Sequence, residues 1–106
     1  HWVTPKIEKR RYSTRFFIAR TTDQLAVHDG VEGVESKWIN PEEALEQFKG
    51  GDFPMIMPTI KNLEMICGFA DTSELLSVMN SKNKNDIPNV EPVFEIVGGE
   101  PKLIRY

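Results

Sequence analysis

Two glutamates three residues apart are the first candidates for chemistry in this 106-residue sequence. Glu32 and Glu35 precede Trp38 in a segment predicted to be a loop that leads into a strand. Carboxylates bind hard divalent cations and can polarise a water molecule, so this pair could serve either purpose. The same spacing fits two solvent-facing acids of an edge loop, because acidic side chains are mostly exposed. Both interpretations stay open at this level.

Charge is distributed unevenly along the chain. Residues 1–20 hold six lysines and arginines and one acid, which gives this segment a net charge of +5. Because the formal net charge of the whole chain is −3, residues 21–106 carry a net charge of −8. A basic segment beside an acidic body suits a small phosphorylated ligand better than a nucleic-acid backbone, which usually meets a net basic surface. A solvated basic loop is the alternative interpretation.

Other kinds of reactive centre lack their motifs. The two histidines, His1 and His28, have no neighbouring cysteines for a zinc site, and no serine has the flanking glycines of a hydrolase elbow. The Gly98 and Gly99 pair is not followed by a helix start, which excludes a phosphate-binding glycine loop. The single cysteine, Cys67, falls in an apolar helical stripe and is interpreted as a buried hydrophobe. We therefore expect the chain not to work as an enzyme by itself.

The strands that must position these residues are predicted from side-chain alternation. Residues 12–20 carry apolar side chains on both faces, which is typical of a central strand covered on both sides. Residues 33–39 alternate around Trp38 and predict a second strand. Residues 91–106 contain two alternating runs around a glycine pair, which predicts a C-terminal hairpin.

Three helices are predicted between these strands. The first begins at Asn40, which can cap it, with Pro41 in the first turn and Glu43 completing a capping box. A second helix is predicted after Pro58, with the next threonine as its cap, and a short third helix begins at Asp71. Together with the strands, these helices predict an α+β fold and a single partial domain over residues 1–106.

The bulk composition is that of a globular protein, with 40% hydrophobic and 27% charged residues. The longest uncharged run, residues 53–60, is interrupted by two prolines and is too short to span a membrane, so we expect a soluble protein. The first residue is His1 rather than methionine, and we expect the sequence to begin partway along a longer chain.

Several segments, taken in order, resemble the downstream half of a Nudix hydrolase domain. A tryptophan that ends a strand, followed by proline, paired glutamates, alanine and leucine at a helix start, is frequent in that family after its catalytic helix. The strand TRFF and the tail PVFEIVGGEPKLI are similar to the branch that includes coenzyme A diphosphatase-like proteins. The resemblance covers nearly the whole chain and implies a partial α/β/α sandwich of Nudix type, with a mixed sheet and flanking helices. The segments that carry it are HWVTP at 1–5, RYSTRFFIAR at 11–20, KWINPEEALEQF at 37–48, PTIKNLEMI at 58–66 and the tail at 92–104.

The defining Nudix box, a carboxylate-rich helix that binds magnesium or manganese, matches no segment of this sequence. The nearest acid pair, Glu42 and Glu43, belongs to a helix start. Cleavage of a pyrophosphate needs divalent cations that neutralise its charge and acidify the attacking water. We therefore expect Mg²⁺ or Mn²⁺ in the complete parent domain, with the box just before His1, and no metal or cofactor for this chain alone.

The resemblance implies the C-terminal part of a Nudix-type metal-dependent pyrophosphohydrolase. Its substrate would be a nucleoside diphosphate linked to another moiety, and this segment itself would be inactive. Arg11 and Arg15 are predicted to bind substrate phosphates, because arginine matches phosphate oxygens in a bidentate way, and Glu35 is predicted as an auxiliary catalytic carboxylate. A structural ion pair is the alternative for Arg15. The alternative function is a non-catalytic Nudix-like binding or interaction module.

Expected partners follow from the same reasoning. We expect a small phosphorylated ligand, no nucleic-acid backbone and no membrane. An upstream segment of the parent, or a homodimer partner, is expected to pair with residues 12–20 and complete the sheet. The expected location is intracellular, in a compartment that the sequence leaves open, since a single cysteine fits a reducing environment without proving one.

Overall fold

A computed structural model describes residues 1–22, 27–33 and 35–106 of the chain. Within these residues three α-helices and four short β-strands form an α+β fold, which confirms the predicted fold class. The strands make two separate antiparallel pairs, β1 with β2 and β3 with β4. The chain divides into two compact units, the first made of His1–Ile18 and Ser77–Tyr106 and the second of Ala19–Leu76. The prediction of a single partial domain over 1–106 stays a prediction.

The first unit is organised around a short strand that carries a buried tryptophan. Strand β1 (Trp2–Val3) pairs antiparallel with β2 (Ser13–Thr14), and on its other side Trp2 forms a parallel bridge to Val90. The Trp2 side chain is only 9% exposed, and the Tyr106 ring meets it edge to face at 6.2 Å. This cluster joins the start of the chain to its end.

The predicted central strand is much shorter than expected. Only Ser13–Thr14 of residues 12–20 are in a strand, and Phe17 is 89% exposed. Strand conformation depends on neighbours that pair with its backbone, and β1 offers only two residues to pair with. The predicted strand over 33–39 is likewise not formed at Gly33 or at residues 35–39, and residue 34 lies outside the described residues.

A hairpin occupies the C-terminal end of the first unit. Strands β3 (Val93–Val97) and β4 (Glu100–Arg105) pair antiparallel, with Val97 opposite Glu100. Gly98 and Gly99 make the two-residue turn with φ angles of 62° and 85°. A turn of this kind needs positive φ at both central residues, which glycine adopts without steric cost.

The second unit is helical and begins where the sequence predicts. Helix α1 (Pro41–Lys49) is capped by Asn40, whose Oδ1 accepts a hydrogen bond from the Glu43 backbone N–H at 2.8 Å. The Glu43 carboxylate accepts a hydrogen bond from Gln47 one turn later instead of reaching back to complete a capping box. Ala44, 1% exposed, is the buried residue of this helix. The predicted cap and first turn of α1 are therefore confirmed, and the predicted capping box with Glu43 is wrong.

The next two helices follow the same rules with one correction. Helix α2 (Met57–Ile66) packs against α1 and begins before Pro58, so the predicted cap at Thr59 is wrong. Proline is tolerated in the first turn of a helix, and here it lies inside α2 rather than ahead of it. Helix α3 (Thr72–Ser81) begins after Asp71, whose Oδ1 accepts from the Glu74 N–H at 2.8 Å.

A short 3-10 helix, Lys84–Asp86, follows α3 and is capped by Asn83. No helix among the described residues combines the length and the apolar character needed to cross a lipid bilayer.

Candidate functional site

Arg11, one of the two predicted phosphate ligands, lies in the first unit just before β2. Its Nη2 donates a hydrogen bond to the Glu91 carboxylate at 2.8 Å, and its Nε donates to the Thr4 carbonyl at 3.1 Å. Thr4 is itself fixed by backbone pairing with Tyr12 at 2.9 Å, which extends the β1–β2 pairing. Arg11 is therefore anchored on one side by the main chain and on the other by a carboxylate.

The ion pair between Arg11 and Glu91 is exposed to solvent. The two side chains are 40% and 36% exposed, and pairs of this kind contribute about 0 to 1 kcal/mol to stability. A guanidinium has five N–H donors, and the contacts within the described residues use two of them. Arg11 thus keeps donors for a further anionic partner, while its position is set by Thr4.

Arg15, the second predicted phosphate ligand, follows β2 in the first unit and is exposed. Among the described residues it forms no ion pair, so the alternative of a structural ion pair finds no support there. Its role in binding phosphate stays a prediction.

Glu35, the predicted auxiliary carboxylate, belongs to the second unit. It is exposed and lies outside any strand or helix, ahead of α1. Its partner in the sequence pattern, Glu32, is exposed as well. Arg11 and Arg15 therefore share one unit and Glu35 lies in the other, and the catalytic role of Glu35 stays a prediction.

An aspartate that the sequence reasoning did not single out organises the loop before Glu35. The Oδ1 of Asp29 accepts backbone hydrogen bonds from Val31 at 3.0 Å and from Gly33 at 2.8 Å. These N–H donors stabilise the ionised carboxylate and lower the pKa of Asp29 below the usual range of aspartate. The sequence His28–Asp29–Gly30, whose residue types are typical of a turn, is the signal that could have identified it, since aspartate commonly accepts hydrogen bonds from backbone groups two residues on.

Cys67 ends helix α2 in a half-buried position. Burial raises the pKa of the Cys67 thiol, and the nearby Glu42 carboxylate raises it further. Glu42 also accepts a hydrogen bond from the Gly68 N–H at 3.3 Å, which ties the start of α1 to the end of α2. A thiol with a raised pKa is a poor nucleophile at neutral pH, which agrees with a packing role for Cys67.

The described residues contain no group of three or more histidine, cysteine, aspartate or glutamate side chains placed to hold a metal ion. The donor set on these residues therefore does not fit a catalytic magnesium or manganese ion.

A groove in the first unit was not anticipated from the sequence. Its volume is about 750 Å³, and its walls come from the turn after β1, the segment that enters β3 and the end of β4. We call it the basic groove, and the residues that define it are Lys6, Ile7, Glu91, Phe94, Arg105 and Tyr106. Up to 100 positions separate these residues in the sequence, so no local pattern could have grouped them.

Comparison with known proteins gives one informative relative. Over 80 residues the chain is 38% identical to the acyl-coenzyme A diphosphatase NUDT19 of Xenopus laevis. The similarity supports a relation to the Nudix hydrolases. The alignment covers 71% of this chain but 21% of the relative, so the chain spans about a fifth of that protein's length. No protein-family model matches the chain, and no solved structure matches it.

Proposed function

We propose that this chain is the downstream part of a Nudix-type, metal-dependent pyrophosphohydrolase. The parent would cleave a nucleoside diphosphate linked to another moiety, and this segment would be inactive alone. The observation that carries the proposal is the 38% identity to an acyl-coenzyme A diphosphatase over most of the chain. It agrees with the resemblance to the downstream half of a Nudix domain in the order of its segments.

The separate roles of this chain and of the rest of the parent follow from the chemistry of the reaction. A pyrophosphate carries several negative charges, and its hydrolysis needs divalent cations beside the scissile bond. Because the described residues do not bring three metal ligands together, no metal-dependent step is assigned to them. Magnesium or manganese would be held by a Nudix box elsewhere in the parent, and this chain would contribute to substrate binding.

Arg11 is the residue best placed for that contribution. Its Nε bond to the Thr4 carbonyl fixes the guanidinium, while the Glu91 carboxylate occupies only part of its donor set. A phosphate can accept two parallel bonds from arginine, which are charge-assisted and stronger than the single bond to an exposed glutamate. Arg15 would add a second positive charge along the same segment, and Glu35 would act as an auxiliary carboxylate.

The test uses the full-length parent protein with magnesium or manganese. A panel of coenzyme A derivatives, nucleotide sugars and dinucleotides would be assayed for release of a monophosphate. Arg11→Gln and Arg15→Gln are each expected to raise KM about tenfold or more, since hydrogen bonds to charged groups contribute about 1.5 to 3 kcal/mol. Arg10→Gln, an exposed neighbour with the same change in charge, is the matched control and should behave as the wild type.

Absence of metal-stimulated release from every substrate would contradict the hydrolase proposal. A non-catalytic Nudix-like module would then be favoured, since one observation already suits it. Apolar side chains on both faces of the segment around β2 are exposed, and Phe16, Phe17 and Ile18 are the main examples. An added strand from the rest of the parent, or from a second copy, would cover such a segment.

Light scattering on the 106-residue chain tests this need for a partner. We expect self-association through the exposed residues beside β2, and Phe17→Lys should shift the chain towards monomer. Val97→Lys, which changes an exposed apolar residue of the C-terminal hairpin, is the control. A stable wild-type monomer would count against an incomplete sheet.

A further inference from the structure

We propose that the basic groove of the first unit binds a small amphipathic anion, namely an aromatic group that carries a phosphate. The site uses neither Arg15 nor Glu35 and requires no metal ion, but its Glu91 pairs with Arg11, a residue of the proposed function. The volume of the groove, its apolar wall and its charge each limit which ligands can bind there.

The size and lining of the groove fit a small organic molecule. Ligand pockets commonly enclose about 300 to 1,000 Å³, and this groove measures about 750 Å³. Ile7, Phe94 and Tyr106 give it apolar surface, and Tyr106 is held by its edge-to-face contact with Trp2. An aromatic ring suits such a wall because flat rings stack on or pack against aromatic side chains.

The charges of the groove select an anion. Glu91, the acidic side chain in its lining, already pairs with Arg11 at 2.8 Å, so its charge is largely balanced. Lys6 and Arg105 also line the groove, both are exposed, and neither forms an ion pair within the described part of the chain. An anionic ligand therefore meets two available cations, whereas a cationic ligand would be repelled.

Glu91 also connects the groove to Arg11. Its carboxylate lines the groove and accepts the Arg11 Nη2–H bond, so removal of its charge would leave a third cation beside the cavity. Neutralising Lys6 or Arg105 should therefore weaken binding of the anion, and neutralising Glu91 should strengthen it.

The test is an NMR titration of the ¹⁵N-labelled 106-residue chain with phenyl phosphate. Inorganic phosphate and phenol, the charged and the aromatic halves of that probe, are titrated in parallel. We expect phenyl phosphate to shift the backbone amides of Glu91, Val93, Phe94, Arg105 and Tyr106 in a saturable way, and to bind more tightly than either half. No saturable shift at these amides, or equal shifts with inorganic phosphate, would overturn the proposal.

Variants of the chain then test whether residues of the groove bind phenyl phosphate. Lys6→Gln and Arg105→Gln are each expected to weaken binding of phenyl phosphate about two- to fivefold, as for exposed charge pairs. Glu91→Gln should tighten it by a similar factor. Lys102→Gln is the matched control, since it removes a cation from the same strand as Arg105 but does not line the groove. Equal weakening by Lys102→Gln would show a general charge effect and refute the site, and so would unchanged affinity in both groove variants.

Failure of this proposal can be distinguished from failure of the proposed function. If the parent proves to have no hydrolase activity, the titration still reports on the groove, because it uses neither metal ion nor turnover. If phenyl phosphate does not bind, the kinetic test of Arg15→Gln is unaffected, because Arg15 does not line the groove.

Discussion

Replacing Asn40 by alanine tests whether the start of α1 is stabilised by its side-chain cap. The Asn40 Oδ1 accepts the Glu43 N–H at 2.8 Å, and alanine removes that acceptor. The Asn40 carbonyl still accepts the Ala44 N–H at 3.1 Å, so only the side-chain contribution is lost. The first turn contains Pro41, which has no N–H, so Glu43 is one of few donors there that need a partner.

The magnitude follows from the exposed position of the cap. Loss of an N-cap side chain costs about 0.5 to 2 kcal/mol, typically about 1 kcal/mol. Water can reach the Glu43 N–H after the substitution, because both Asn40 and Glu43 are exposed, and this argues for the middle of that range or below. With a urea dependence of about 2 kcal/mol per molar, the unfolding midpoint should fall by about 0.5 M.

The assay is urea unfolding followed by far-UV circular dichroism. Asn40→Asp is the matched control, since it keeps an acceptor at the same position and adds a negative charge near a helix N-terminus, where such charge is favourable. We expect Asn40→Asp to retain the wild-type midpoint and Asn40→Gly to fall between the two. The reasoning would be refuted if Asn40→Ala left the midpoint unchanged, or if Asn40→Asp lowered it as much.

Three further predictions concern groups of the second unit. Because burial and the Glu42 carboxylate raise the pKa of Cys67, iodoacetamide should alkylate Cys67 more slowly at pH 8 than it alkylates a free cysteine. The variant Glu42→Gln should react faster than the wild type and the control Glu46→Gln should not, whereas equal rates in all forms would contradict this. Because backbone hydrogen bonds lower the pKa of Asp29, the contribution of its carboxylate to stability should be complete above the ordinary aspartate pKa and be lost as the pH falls through the lower pKa of the folded state. A ¹³C titration of the Asp29 carboxyl group with a midpoint at or above the ordinary pKa would contradict this. Ala44→Leu should destabilise the chain by about 1 to 3 kcal/mol in urea unfolding, because the site is 1% exposed and extra methylenes in a buried site displace their neighbours. An unchanged midpoint would contradict this.

The helix starts that the sequence predicted correctly depend on residues within one turn of each other. Asn40 caps the third residue after it, and Asp71 caps Glu74 in the same way. Such bonds close within four residues and do not depend on the rest of the fold. The start of α2 was placed wrongly because Pro58 was interpreted as lying ahead of the helix, whereas its fixed φ also suits the first helical turn.

The strands could not be predicted to the same standard, because their existence depends on partners far away in sequence. Residues 12–20 have the composition of a strand, but only Ser13–Thr14 form one, paired with β1. The candidate site has the same limitation. Arg11 was selected from its charge, while its contact with Glu91 joins positions 80 residues apart. The basic groove depends on such long-range contacts throughout, so its existence follows from the fold and not from any motif.

The contact between Arg11 and Glu91 also bears on what the basic segment does. An arginine whose main purpose is stability would be expected in a buried, fully bonded setting, where loss of its partner costs several kcal/mol. Arg11 instead has an exposed partner that contributes at most about 1 kcal/mol, together with a main-chain acceptor, Thr4, that fixes its position. Under the proposed function, a phosphate would replace Glu91 at little cost in stability while the guanidinium stays in place. The fixed position of Arg11 and its exposed partner therefore support the proposal that Arg11 binds phosphate.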